Sequence, residues 1–130
     1  MIRPLAISMG DPAGIGPEII AKAWAARRDA DLLPFVAVGD ARAVERVWNG
    51  PIVRVSDMAA AVAAFDEALP ILSVDDAGEI RPGQPDVEGA RCALHSLELA
   101  VGLVRSEAAS ALVTGPVSKA QLYDIGFNHP

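Results

Sequence analysis

A glycine-rich loop near the amino end carries the first group of residues whose types and spacing suit ligand binding. Gly10, Asp11, Gly14, Gly16 and Glu18 stand between an apolar run and a helical run. Glycine permits positive φ and lets a ligand approach the main chain, while the proline after Gly16 suits the first turn of a helix. The free N–H groups of such a helix start favour a bound ligand. We therefore predict a cofactor- or substrate-binding edge here, and the alternative is a turn that only shapes the fold.

The two common phosphate-binding motifs do not fit this loop. A dinucleotide fingerprint that begins at Gly14 needs glycine or alanine where Ile19 stands, and a P-loop would lack its second glycine and its lysine. Asp11 and Glu18 would also repel a phosphate placed on the turn. We therefore expect this loop to make edge-on contact with a ribose, an amine or an amide.

A second loop with similar features follows the last apolar run of the chain. Thr114, Gly115, Ser118 and Lys119 supply hydroxyls and a cation beside a predicted helix start, which suits a phosphate, a carboxylate or a ribose. The alternative is an ordinary Gly-Pro turn with a serine cap and a solvated lysine. In a parallel sheet both loops would lie at the carboxyl edge, where ligands bind beside a change in strand order.

The elements that must position these loops alternate between short β-type runs and helical stretches. This order predicts an α/β fold with three layers, α/β/α, around a mostly parallel sheet. The predicted strands are Leu5 to Met9, Phe35 to Val38, Ile52 to Val55, Ile71 to Val74 and Ala111 to Thr114. The predicted helices are Glu18 to Arg28, Ala41 to Trp48, Met58 to Ala68 and Val87 to Glu107. Asp40 and Ser56 are predicted N-caps, and residues 75–86 form the one long polar connection.

Composition limits the class of protein and its partners. A length of 130 residues suits one domain. With 52% hydrophobic and 22% charged residues, the sequence has enough apolar side chains for a packed core. The net charge of -6 argues against nucleic acid and anionic membranes as partners. Cys92 is the only cysteine, which excludes an internal disulfide and suits a reducing compartment. We expect a cytoplasmic protein without a membrane span.

Candidate metal ligands are few in this sequence. Cys92 and His95 are three residues apart on a predicted helix, but no second pair stands at ligand spacing. A buried thiol and a surface imidazole are the better interpretation of this pair. His129 is the only other histidine, and it precedes the final residue of the sequence.

Three strings of this sequence resemble one enzyme family. They are MGDPAGIGPEI at 9–19, GQPDVEGARCALHSLELA at 83–100 and LVTGPVSK at 112–119. In this order they are similar to the 4-hydroxythreonine-4-phosphate dehydrogenase family, which acts in pyridoxal 5′-phosphate biosynthesis. The resemblance implies an isopropylmalate dehydrogenase-like fold, of which residues 1–130 are the N-terminal α/β domain of a longer two-domain chain.

The resemblance also implies an activity and its cofactors. NAD or NADP oxidises the secondary alcohol of 4-phosphohydroxy-L-threonine, and the β-keto acid then loses CO₂ to give 3-amino-2-oxopropyl phosphate. A divalent metal, Zn, Mg or Co, polarises the substrate oxygen. The family's metal-binding histidines lie beyond this sequence, so we expect the 130 residues alone to be inactive. Members of the family form homodimers, and the molecule that they bind is a small phosphorylated substrate.

Two features leave the substrate and the class of protein open. Many family members carry histidine where this chain has Ser118, whereas Lys119 matches the family. His129 falls before the position of the family's substrate-contacting histidine and does not inherit that role. The alternatives are a paralogue that acts on a 4-phospho-threonate or erythronate-type sugar acid, and a non-catalytic ligand-binding domain.

Overall fold

The computed structural model describes residues 3–75 and 77–126, and it confirms the predicted α/β fold. Strands and helices alternate along the chain. In order they are β1 (Leu5–Ser8), α1 (Gly16–Ala25), β2 (Phe35–Gly39), α2 (Ala41–Val47), β3 (Ile52–Arg54), α3 (Met58–Ala64), β4 (Leu69–Ser73), α4 (Val87–Arg105), β5 (Leu112–Thr114) and α5 (Lys119–Asp124).

The five described strands form one parallel sheet in the order β3-β4-β2-β1-β5. Leu5 pairs with Phe35 on one side of β1, and Ala6 pairs with Leu112 on the other. The chain leaves β1 toward β2 and later returns to the opposite side of β1 as β5. The order therefore changes direction between β1 and β5, which is where ligands bind in sheets of this kind.

Strand β2 shows why the sheet is covered on both faces. All five of its residues are buried, because alternate side chains point to opposite faces and each face is packed. Phe35 and Ala37 join a core with side chains from α1 and α2. Val36 and Val38 join a second core with side chains from α3 and α4. The predicted three-layer arrangement is therefore present.

Helix α3 is shorter than the sequence predicted. We expected it to reach Ala68, but it ends at Ala64. Phe65 turns into the core, and its carbonyl oxygen accepts a hydrogen bond of 2.8 Å from Nε1 of Trp24. After Ala64 the N–H groups of Glu67 and Ala68 both donate to the Ala64 carbonyl oxygen, at 3.0 and 2.9 Å, so the helix closes in a turn. The N–H of Leu69 then donates to the carbonyl oxygen of Pro51, and β4 begins two residues earlier than predicted.

The helix caps confirm one predicted residue and correct another. Asp40 caps α2 by accepting a hydrogen bond from the N–H of Arg42. Ser56 does not cap α3, because that helix begins at Met58 and its N-cap is Asp57, whose Oδ1 accepts a 2.7 Å hydrogen bond from Ala60 N. Among the described helices, none combines the length and apolar character that crossing a membrane requires.

Candidate ligand-binding cleft

The two predicted loops meet at the carboxyl edge of the sheet. The N–H of Asp11 donates to the carbonyl oxygen of Pro116 at 2.9 Å, and the N–H of Gly115 donates to that of Ser8 at 2.7 Å. The first bond joins the loop after β1, residues 9–15, to the loop after β5, residues 115–118, and the second joins the loop after β5 to the last residue of β1. The sequence predicted that the two loops lie at one edge, and the structure shows that they form one unit.

Glycines make this close approach of the two loops possible. Gly10 has φ +76°, and a Cβ there would lie 2.1 Å from the carbonyl oxygen of Pro116. A Cβ on Gly115 would lie 2.5 Å from the carbonyl oxygen of Met9, and one on Gly16 would lie 2.1 Å from the same atom. These distances are far shorter than van der Waals contact, so only glycine, which has no Cβ, allows the backbone to pack this closely at the three positions.

This packing corrects our interpretation of Gly14 and Gly16. We predicted that they hold positive φ or admit a ligand, but neither is among the positive-φ residues. Gly16 is buried as the first residue of α1 and is not among the residues that line the cleft. Gly14 is exposed and borders a cleft, and a Cβ added to it would lie 3.3 Å from its nearest neighbour, the carbonyl oxygen of Asp11. The positive φ of this loop belongs to Gly10.

A cleft of about 300 Å³ lies between the two loops. Its third wall comes from the long connection before α4. Most of the surface that lines the cleft is apolar. Of the described lining residues, only Asp11 and Ser118 carry polar side chains. The lining consists of Asp11, Ala13, Gly14, Ile15, Gly83, Pro85, Pro116, Val117 and Ser118.

Asp11 is the most constrained residue of the cleft. It is only 3% exposed, and its Oδ1 accepts a hydrogen bond of 2.9 Å from the N–H of Ala13. Its carbonyl oxygen accepts another, at 3.0 Å, from the N–H of Gly14. Oδ2 is buried and has no hydrogen-bond partner among the described residues. Burial raises the pKa of this carboxyl, the Ala13 N–H partly offsets that effect, and the charge of Asp86 raises the pKa further.

The other predicted site residues are placed less favourably. Glu18 points to solvent, where Oε1 lies 3.2 Å from Nζ of Lys22 in an exposed ion pair. Thr114 is exposed at the end of β5 and does not border the cleft. Ser118 borders the cleft at the N-cap position of α5 but makes no side-chain cap bond there. Lys119 begins α5, and its side chain lies outside the described part of the structure.

The wall formed by Gly83 and Pro85 is the part of the cleft that our sequence interpretation missed. We treated residues 75–86 only as a long polar connection. The structure joins it to the first loop through a 2.7 Å hydrogen bond from Gly83 N to the carbonyl oxygen of Ala13. The signal that could have revealed this contact was the GQPDVEGARC string itself, which begins at Gly83.

The described residues offer no metal centre. Across 3–75 and 77–126, no three His, Cys, Asp or Glu side chains are grouped closely enough to hold an ion. Cys92 is buried in the core and His95 is exposed on α4, as the sequence pattern predicted. His129 lies outside the described residues.

Comparison with known families agrees with the three strings. Residues 31–130 match the family model described as pyridoxal phosphate biosynthetic protein PdxA. The chain belongs to the PdxA family. It is 46% identical over 129 residues to the 4-hydroxythreonine-4-phosphate dehydrogenase of Zymomonas mobilis, covering 99% of this chain and 38% of that protein. The enzyme of the same name from Erythrobacter litoralis is 47% identical over 133 residues, which cover 98% of this chain and 39% of that protein.

Solved PdxA-family structures have the same fold. A 4-hydroxythreonine-4-phosphate dehydrogenase from Burkholderia phymatum superposes with a TM-score of 0.86 at 26% identity, covering 100% of this chain and 41% of that one. The Klebsiella pneumoniae enzyme gives a TM-score of 0.83 at 26% identity, covering 99% of this chain and 42% of that one. The chain thus spans about two fifths of the length of these relatives.

Proposed function

We propose that these 130 residues are the N-terminal α/β domain of a longer two-domain dehydrogenase. The whole protein would oxidise 4-phosphohydroxy-L-threonine with NAD or NADP and decarboxylate the product to 3-amino-2-oxopropyl phosphate, in vitamin B6 biosynthesis. Membership of the PdxA family and the names of its relatives support this activity. The single structural observation that carries the proposal is the cleft at the change of strand order, between the loops that follow β1 and β5.

The cleft has the character of a site for a flat, mostly apolar group. Ile15, Pro85, Pro116 and Val117 supply apolar surface to its walls. Such walls exclude water from a bound ring and leave orientation to a few polar groups. A nicotinamide ring fits this description, and when bound it supplies the hydride acceptor. The residues of this chain would hold and orient the ring.

The described residues do not fit a divalent metal, because no three of their His, Cys, Asp or Glu side chains are grouped closely enough to hold an ion. We propose that the metal, Zn, Mg or Co, is bound by residues outside this chain. We propose further that the enzyme is a cytoplasmic homodimer. The exposed apolar side chains of the cleft, Ile15 and Val117, are consistent with coverage by another part of the assembly.

A chimaera tests this function directly. The 130 residues replace the matched part of the Zymomonas mobilis relative, and NADH or NADPH formation is followed with 4-phosphohydroxy-L-threonine. We expect turnover that a chelator abolishes and a divalent metal restores. The relative itself is the positive control, and the 130-residue chain alone should show no turnover.

Two outcomes would decide against the proposal. A folded chimaera that turns over a 4-phospho-threonate or erythronate-type acid in preference would assign the paralogue function. A folded chimaera that binds NAD but oxidises neither substrate would indicate that this cleft belongs to a binding domain. Circular dichroism and the melting temperature, compared with those of the Zymomonas mobilis relative, establish that the chimaera is folded.

A further inference from the structure

The unsatisfied oxygen of Asp11 is the feature of the cleft that the fold does not explain. The main chain of Asp11 is bonded to both loops, and Oδ1 is bonded to Ala13. Oδ2 is buried but has no hydrogen-bond partner among the described residues. An unpaired buried acceptor loses its hydration without compensation, so native proteins rarely keep one without a reason.

Asp40 shows that this fold satisfies a structural carboxylate when one is needed. It follows β2, the strand beside β1, and is fully buried. Its Oδ1 accepts from the backbone N–H and from Nε of Arg42, while Oδ2 accepts from Nη2 of Arg42 and from the N–H of Ala77. A carboxylate that serves only the fold at this sheet edge thus has partners on both oxygens, and Asp11 does not.

The surroundings of Asp11 select the kind of ligand atom that Oδ2 could pair with. Asp11 and Asp86 are both close to Gly89, since a Cβ placed there would lie 3.4 Å from Oδ1 of Asp11 and 3.2 Å from Oδ1 of Asp86. Two neighbouring carboxylates repel phosphate and carboxylate groups and attract hydrogen-bond donors. The remaining walls are mostly apolar, and among the described lining residues only Asp11 and Ser118 offer side-chain acceptors to such a donor.

We propose that Asp11 is a specificity-determining residue of the cleft, and that its Oδ2 accepts a hydrogen bond from an N–H group of the ligand. This inference rests on the proposed function, which offers two sources of such a group. One is the carboxamide of the nicotinamide cofactor, and the other is the ammonium of the amino-acid substrate. Both present an N–H donor to Asp11, one on a neutral amide and the other on a cation, and the experiment below distinguishes them.

Oδ2 of Asp11 is buried, so a ligand that pairs with it must displace part of the cleft lining. The raised pKa of Asp11 agrees with the proposal, since burial without a donor penalises the charged form. A ligand N–H would reverse that penalty, so its affinity should fall as pH falls and the carboxyl protonates.

The test compares ligands with and without the N–H group on the chimaera described above. Dissociation constants are measured by calorimetry for NAD and for 3-acetylpyridine adenine dinucleotide, which has a methyl ketone in place of the carboxamide. They are also measured for 4-phosphohydroxy-L-threonine and for its 2-deamino analogue. Each ligand is titrated into the unmodified chimaera, Asp11→Asn and Asp86→Asn.

We expect Asp11→Asn to raise the dissociation constant of one N–H-bearing ligand about tenfold or more, because a donor then faces a donor. The analogue without the N–H should change less than about threefold. Asp86 is the N-cap of α4, where its Oδ1 accepts a 2.7 Å hydrogen bond from the N–H of Gly89. Asp86→Asn keeps that cap and removes a nearby charge, so it is the matched control and should separate a ligand from its analogue less than Asp11→Asn does. The ligand pair that responds identifies the source of the N–H group.

Three outcomes would overturn the proposal. In one, the unmodified chimaera binds each ligand and its analogue with the same dissociation constant, a result that is obtained without any substitution. In another, Asp11→Asn weakens a ligand and its analogue by the same factor. In the third, Asp11→Asn changes no affinity although turnover persists, so the inference fails and the proposed function stands. If the folded chimaera binds neither NAD nor the substrate, the proposed function and this inference fail together.

Discussion

Asp11 and Asp40 follow adjacent strands of one sheet and are 3% and 0% exposed, yet their pKa values move in opposite directions. Burial raises both. At Asp40 the hydrogen bonds from the side chain and N–H of Arg42 and from the N–H of Ala77 more than offset burial, so the pKa is lowered. At Asp11 a single backbone bond does not offset it, so the pKa is raised. Opposite shifts give opposite effects of pH on stability.

Asp40→Asn should destabilise the fold at neutral pH. A carboxyl whose folded-state pKa is below the ordinary 3.8 contributes stability above that value and loses it as pH falls through the folded-state pKa. Loss of the charge-assisted bonds to Arg42 should cost about 1.5–3 kcal/mol. Urea unfolding at a series of pH values measures the difference from wild type, which should shrink in acid. A difference that is constant down to acid would show that the charge of Asp40 is not responsible.

Asp11→Asn should behave in the opposite way. The asparagine oxygen still accepts from the N–H of Ala13, and the variant no longer buries an unpaired charge. A carboxyl with a raised folded-state pKa stabilises the fold below its unfolded pKa and loses that contribution as pH rises through the folded pKa. At neutral pH the variant should therefore melt at or above the wild-type temperature, measured by circular dichroism. A melting temperature several degrees lower would mean that Asp11 has a purely structural role.

The sequence predicted the elements better than it predicted the contacts of the loops. Alternating apolar runs and helical stretches were sufficient to place all five described strands and to bring the two loops to one edge. The pattern could not show that Gly10 and Gly115 are held against carbonyl oxygens, because those oxygens belong to residues distant in sequence. Gly16 is held against the oxygen of Met9 by the path of the first loop, which the pattern does not give either. The same limit applied to Gly83, whose role depends on a hydrogen bond across seventy residues to Ala13.

A glycine-to-alanine series separates backbone strain from steric conflict in the loops. Gly10→Ala combines φ +76° with a Cβ 2.1 Å from a carbonyl oxygen, so it should cost several kcal/mol or prevent folding. Gly83→Ala has φ +78° with nothing within 4 Å, so strain alone should cost about 1 kcal/mol. Gly14→Ala is the control, because its φ is not positive and its Cβ would come no closer than 3.3 Å to a neighbour. Chemical denaturation gives the three values, and equal losses at Gly10 and Gly83 would contradict the packing argument.

The outer edge of β5 should make the 130-residue chain self-associate. In the described part of the structure, β5 pairs only with β1, and Val113 on it is 47% exposed. An unpaired strand edge with apolar side chains is a template for pairing with another chain, and a charge there opposes it. Val113→Lys should therefore shift the chain toward monomer in analytical ultracentrifugation. Leu33→Lys is the matched control, because Leu33 is 66% exposed but lies in the loop before β2. If both lysine variants reduce association equally, general apolar exposure rather than the β5 edge drives the association. A wild-type chain that is monomeric at all concentrations would exclude the edge as an association site.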